Sequence, residues 1–292
     1  MSLCQISACW RSVVRACGRR AGGTVSWSVP YRIDVRHAGQ DAIDRLIDLG
    51  ALDVERSAGG GVAALMPDGV PPERVAGALG VETVSVSPAV GRDAESVWIL
   101  SPRPVHVGRL RIVPASAAAE PGALRLLDAP AFGTGLHPTT ALCLEAIDAA
   151  VQAGPPDALL DVGTGSGVLA LGALTLGVSR ALGIDLEDEA LAIAAENARL
   201  NGLDGRLRLA RGGPEAIAGR WPLVAANVLA APLVEMAPTL VRRVGHHGQL
   251  VLSGIPASVE GEVERAYRHV GMRCLRAETR DGWVALVLQA SW

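Results

Sequence analysis

From residue 157 to its end the chain alternates short apolar runs with helical stretches, and this alternation constrains the fold more than anything else in it. Apolar or alternating runs at 158–162, 181–185, 206–211, 223–228 and 249–253 predict strands. Between them, 166–176, 188–201, 232–244 and 257–270 carry helical spacing. Strands separated by helices run parallel, so this region predicts an α/β fold with a mostly parallel sheet covered on both faces. The last two predicted strands, 274–279 and 283–289, have no helix between them. Asp281-Gly282 joins them, a dipeptide suited to a tight hairpin. The sheet is therefore expected to end in an antiparallel pair.

The first of these strands runs straight into Gly163-Thr164-Gly165-Ser166-Gly167, and a helix follows at once. Glycines here let backbone approach a ligand and adopt positive φ, beside a helix N-terminus. In doubly wound sheets this turn is where cofactors bind. The spacing is G-x-G-x-G with Asp161 just ahead, tighter than the G-x-G-x-x-G of dinucleotide sites. It looks like motif I of S-adenosylmethionine methyltransferases, and a parallel sheet closed by a hairpin is the Rossmann-like outline of a class I methyltransferase domain. Gly163, Gly165 and Gly167 are thus candidate cofactor contacts, the alternative being a plain strand–helix turn. Asp185 ends the next strand, 18 residues after Gly167. Its carboxylate can accept from both ribose hydroxyls, or it caps the following helix. Asp161 either supports the turn or faces the cofactor's ammonium group.

More specific segments flank this loop. Ala131-Phe132-Gly133-Thr134-Gly135-Leu136-His137-Pro138-Thr139-Thr140 precedes it by about one helix. Then follow Gly183-Ile184-Asp185, Glu196-Asn197-Ala198-Arg199-Leu200-Asn201-Gly202, Asn227-Val228-Leu229-Ala230-Ala231-Pro232-Leu233 and Leu252-Ser253-Gly254-Ile255. In kind and order these resemble the PrmA family, which carries A-F-G-T-G-T-H-P-T-T at the first position. The resemblance covers most of 27–288, is strong over 131–255 and weak before it. Leu136 stands where the family has Thr, Asp128-Ala129-Pro130 is shorter than D-P-G-x, and Glu187-Asp188 replaces Asp-Pro. The resemblance implies S-adenosylmethionine as cofactor, contacts at Thr140, Gly163, Asp185 and Asn227, with Phe132 and Gly133 beside them, and methylation of amino groups on a large-subunit ribosomal protein. His137 either holds its loop by backbone hydrogen bonds or removes a proton, its reference pKa lying near 6.5.

Asn227 ends the fourth strand of the domain, at the carboxyl edge where ligands bind. Other amine methyltransferases carry Asn-Pro-Pro-aromatic there. Its side-chain oxygen could accept from a neutral amine, which makes it the candidate catalytic residue. The alternative is that it only holds the cofactor or the turn. Competing readings are a methyltransferase for another protein lysine or a small amine, a nicotinamide-dependent oxidoreductase, and a non-catalytic module that kept the pocket.

Ahead of this domain, predicted at 129–292, the periods are shorter. A strand at 31–35, a helix at 41–49, a strand at 62–66, a helix at 71–79 and a strand at 81–86 supply five of the six elements of the order β-α-β-β-α-β, with which they are consistent. That order predicts a small ferredoxin-like α+β domain over 25–100, which the resemblance makes the reader of the ribosomal protein. Four Pro over 101–128 predict a linker with one strand at 108–113. Residues 1–24 hold three of five Cys and four Arg with no acid, and are expected to be a non-native or disordered extension, with a transit peptide as the alternative.

Composition removes other classes. With 49% hydrophobic and 20% charged residues, the chain has enough apolar material for a core. A formal net charge of -3 argues against a direct nucleic-acid partner. No apolar run reaches the roughly 18 residues of a membrane span, no Cys pair has the CxxC spacing of a zinc site or redox motif, and a cytoplasmic monomer is expected. All 27 basic residues are Arg, with no Lys.

Overall fold

The computed structural model describes residues 30–39, 41–57, 60–89, 104–127 and 137–292. They fall into two compact units, one ending before residue 92 and one holding everything described from 104 onward. The expectations for 1–24 lie outside the described residues.

The first unit contains β1 (Tyr31–Val35), α1 (Ala42–Asp48), β2 (Asp53–Ser57), β3 (Gly61–Met66), α2 (Pro72–Leu79) and β4 (Ser85–Pro88). The strands form one antiparallel sheet in the order β2-β3-β1-β4. Alternation in β1 buries Tyr31, Ile33 and Val35 against Leu46, Met66 and Val75. The sequence Asp-Val-Glu-Arg-Ser of β2 has no apolar alternation, so its strand state comes from pairing with β3 and carries no periodic signal. The last strand starts at Ser85 instead of 81, because the Val81 N–H still bonds Ala76 O in the cap of α2.

In the second unit β5 (Val105–Val107), β6 (Leu110–Pro114) and β7 (Ala123–Leu126) form a three-stranded sheet. Over its described residues the expected linker is therefore folded structure. Pro104, Pro114 and Pro121 lie before, at the end of and between these strands, where proline costs no ladder bond. Val107, Leu110, Ile112, Leu124 and Leu126 join the main core. The buried Asp148 carboxylate fastens this sheet, accepting from Arg109 N at 3.0 Å and Arg109 Nε at 2.7 Å. Gly108 makes room for it, since a Cβ there would sit 2.5 Å from Asp148 Oδ2.

After α3 (Pro138–Ala153) come β8 (Ala158–Val162), α4 (Val168–Leu176), β9 (Arg180–Asp185), α5 (Asp188–Leu200), β10 (Leu207–Arg211), β11 (Trp221–Asn227), α6 (Ala230–Val241), β12 (Val244–Pro256), α7 (Glu260–His269), β13 (Met272–Arg280) and β14 (Trp283–Ala290). The sheet order is β10-β9-β8-β11-β12-β14-β13. β14 alone runs against the direction of the other six strands. Its hairpin turns through Asp281 (φ 50°) and Gly282 (φ 79°), the doubly positive turn that Asp-Gly favours. Leu159 of β8 enters one core, while Leu160 and Val162 enter the other. The strand order reverses between β8 and β11, which opens a crevice at their carboxyl ends.

Candidate functional site

Three consecutive residues of the glycine loop are each fixed by a side chain from a different element. Thr164 Oγ1 donates to Asp161 Oδ2 at 2.8 Å, from the end of β8. Gly165 N donates to Asp185 Oδ2 at 2.9 Å, from the end of β9. Ser166 O accepts from Asn197 Nδ2 at 2.9 Å, from α5. Gly163, Gly165 and Gly167 all have positive φ, 71°, 54° and 82°. A Cβ on Gly163 would lie 2.5 Å from Val228 Cγ1, so this loop packs directly on the residue after Asn227.

Asp161 is 1% exposed. Burial pushes its pKa up to about 6, reinforced by the nearby Asp185 charge and opposed by the bonds from Thr164 and from Ala170 N. Its Oδ1 has no hydrogen-bond partner among the described residues. Asp185 is half-buried and also accepts from Glu187 N at 3.1 Å, so its carboxylate caps the turn into α5. A carboxylate has about four acceptor sites, and two of these are taken by backbone.

Across the crevice, Asn227 Nδ2 donates to Thr140 Oγ1 at 3.3 Å. Both residues are buried, and Asn227 Oδ1 has no partner among the described residues. A buried, unpaired amide oxygen is costly, which marks it as a position for an incoming donor. The backbone beyond is wedged in place: a Cβ on Gly254 (φ 82°) would fall 2.2 Å from Val228 O. Leu229 follows, 68% exposed at the same edge.

His137 lies at the start of α3, where its side chain accepts from Thr139 N at 3.3 Å. Its ring meets Trp283 edge-on at 5.1 Å. These contacts are those of a group that holds its segment. Cys143 is a fully buried core residue on α3.

The structure thus joins Thr140, Asp161, Gly163, Gly165, Gly167, Asp185 and Asn227 in one connected set at the carboxyl edge. Phe132 and Gly133 lie outside the described residues. Sequence reasoning assigned no role to Asn197. The available signal was a pair of Asn four residues apart inside a helix, where Asn competes poorly unless its amide has a partner. Among the described residues no group of His, Cys, Asp or Glu could hold a metal, and no helix is long and apolar enough to cross a membrane.

Residues 75–291 match the family model described as ribosomal protein L11 methyltransferase (PrmA). A ribosomal protein L11 methyltransferase of Azotobacter vinelandii is 46% identical over 202 residues, covering 67% of each chain. That of Chromohalobacter salexigens is 44% identical over 205 residues, covering 68% of this chain and 67% of the other. The solved ribosomal protein L11 methylase of Lactobacillus delbrueckii subsp. bulgaricus superposes with a TM-score of 0.60 at 29% identity, covering 65% of this chain and all of that one.

Proposed function

This chain belongs to the PrmA family of ribosomal protein L11 methyltransferases, and on that premise we propose that it methylates amino groups of ribosomal protein L11, on lysine side chains, the N-terminal amine or both. The observation that carries the chemistry is the buried, unpaired Oδ1 of Asn227 beside the glycine loop.

The enzyme draws its methyl groups from S-adenosylmethionine. The residues present fit that group. Positive-φ glycines leave space over the loop, and two buried oxygens that lack protein partners, Asp161 Oδ1 and Asn227 Oδ1, belong to the strand ends beside it. Asp185 would hold the ribose hydroxyls with its remaining acceptor sites. Gly163, Gly165 and Gly167 would let the backbone lie close. Asp161 would support the loop, its Oδ1 turned to the ammonium group, and Thr140 would close the site from α3. Phe132 and Gly133 are proposed as further contacts. The bound cofactor supplies an electrophilic methyl carbon on a sulfonium.

What remains for the chain is to select and aim a neutral amine. A lysine amine is protonated in water at neutral pH, its reference pKa being about 10.4. A site that excludes water disfavours the ammonium and so favours the form with a free lone pair. Asn227 Oδ1 accepts one N–H and turns that lone pair toward the methyl group, while Thr140 holds the amide by Nδ2. Positioning of this kind supplies much of the barrier reduction when the donor is already reactive.

The first unit is proposed as a ferredoxin-like reader of the protein substrate, within 25–100. Its β-α-β-β-α-β order and antiparallel pairing support that reading. The catalytic part is proposed at 129–292, in a cytoplasmic monomer with no direct nucleic-acid or membrane partner. Incubating the enzyme with purified L11 and S-adenosylmethionine, followed by intact-mass and peptide spectrometry, should show methyl groups on L11 amines. An unmodified L11, with calorimetry still showing S-adenosylhomocysteine binding, would refute the substrate and leave the cofactor standing.

A further inference from the structure

Asn197 in α5 and Asn201 at its C-cap stand four residues apart and make different connections. Asn201 grips Arg125: its Oδ1 accepts from Arg125 N at 2.8 Å and its Nδ2 donates to Arg125 O at 2.7 Å, and also to the Asn197 carbonyl at 2.7 Å. It thereby gives the edge of β7 a substitute strand partner. Asn197 is fully buried and joins two places. Its Oδ1 accepts from Leu127 N at 2.9 Å, and its Nδ2 donates to Ser166 O at 2.9 Å inside the glycine loop.

The Ser166–Gly167 peptide unit is held at both ends. Its carbonyl receives Asn197 Nδ2, and its N–H, on Gly167, donates to Thr164 O at 2.8 Å. Without a side chain at 167, the reversed peptide is sterically accessible, because glycine populates positive and negative φ about equally. A reversed peptide would turn a carbonyl into the place of an N–H at the start of α4. α5 also lies close here, with Ala194 Cβ 3.1 Å from where a Gly167 Cβ would be.

We propose that Asn197 is a positioning residue for the cofactor. It locks the 166–167 peptide in the orientation in which Gly167 N–H closes the turn on Thr164 O, so that the loop keeps the shape on which the cofactor rests, and it ties that loop to the end of β7. The same glycines that make room for the ligand make the loop reversible, and Asn197 removes that freedom. The proposal rests on the cofactor assignment and is independent of which protein is methylated.

The test uses the full chain. Asn197→Asp keeps an acceptor for Leu127 N and loses the donor to Ser166 O; Asn197→Ala loses both; Asn201→Ala removes the bonds to Arg125 and to the Asn197 carbonyl but leaves both bonds of the Asn197 side chain. Calorimetry with S-adenosylhomocysteine should show Kd raised about 10-fold or more in either Asn197 variant, and changed less than about 2-fold in Asn201→Ala at a similar thermal midpoint. In turnover assays the KM for S-adenosylmethionine should rise in Asn197→Asp, with the KM for the protein substrate unchanged. A purely structural role would instead lower the active fraction and leave both KM values alone. An unchanged Kd in the Asn197 variants, or an equal rise in Asn201→Ala, overturns the proposal. Should neither Asn197 variant fold, amide exchange in the cofactor-free wild-type protein decides. Gly167 N–H should be strongly protected, and exchange at the free-peptide rate overturns the lock.

Discussion

The two sides of the crevice are built to different tolerances. On the glycine-loop side, Thr164, Gly165 and Ser166 are each fixed by a side chain from β8, β9 and α5 in turn. On the other side, Asn227 has a single 3.3 Å bond to Thr140 and an unpaired oxygen, and Leu229 beyond it is largely exposed. A cofactor is the same molecule in every turnover, so its cradle gains from being fixed beforehand. The amine arrives anew each time and leaves methylated. A site that must grip and release it does better with an acceptor left open. Stability is thus concentrated where the ligand is constant and withheld where it changes.

That contrast can be broken most sharply at Asn227. Asn227→Ala should fold with undiminished stability, since it gives up one long bond and removes an unpaired buried oxygen. Turnover should fall about 10²-fold or more, roughly 2.7 kcal/mol of transition-state stabilisation. Near-normal steady-state rates would refute the role given to the open side.

On the fixed side the expected signature is in stability. With its pKa raised to about 6, Asp161 binds its proton more tightly folded than unfolded. Its contribution is therefore fully present below the ordinary carboxylate value and is lost as pH rises through about 6. Between about pH 4 and 6 the cofactor-free protein should lose roughly 2–3 kcal/mol by this route. Asp161→Asn should abolish that slope in urea melts followed across pH, its amide oxygen still accepting from Thr164 and Ala170. A slope unchanged in the variant would mean that Asp161 is not the group responsible. If cofactor affinity also falls, Asp161 faces the ammonium group as well as supporting the loop.

The smallest effect belongs to Thr140. Thr140→Val removes the acceptor of Asn227 Nδ2 at nearly constant volume, and should slow turnover about 5-fold, near 1 kcal/mol. A loss as large as that of Asn227→Ala would mean the open side is as tightly set as the loop.

Much of this was legible in the sequence because it depends on local pattern. The strand 158–162 was predicted at its observed bounds, and the Asp281-Gly282 turn fixed the final hairpin, since backbone signs at these positions demand particular residues. Asp185 and Asn227 stand out because each ends a strand at the carboxyl edge, and Asp161 because it lies just ahead of the glycine loop. Of the three-stranded sheet only the strand expected at 108–113 is legible, and the rest reads as linker, because its prolines sit where strands tolerate them and its core contacts come from α3 and α4, far along the chain. Likewise β2 is a strand only by virtue of its neighbour. Asn197 eluded the reading for the same reason, its role being a contact with a residue 31 positions away.

The open oxygen of Asn227 poses one more question, that of self-modification. An acceptor kept vacant for neutral amines does not distinguish a partner's lysine from the enzyme's own. This chain has no lysine; its cationic side chains are all arginine, whose delocalised guanidinium stays protonated. No side chain of the enzyme, in its own copy or a neighbouring one, can therefore compete as a primary amine for the methyl group it carries.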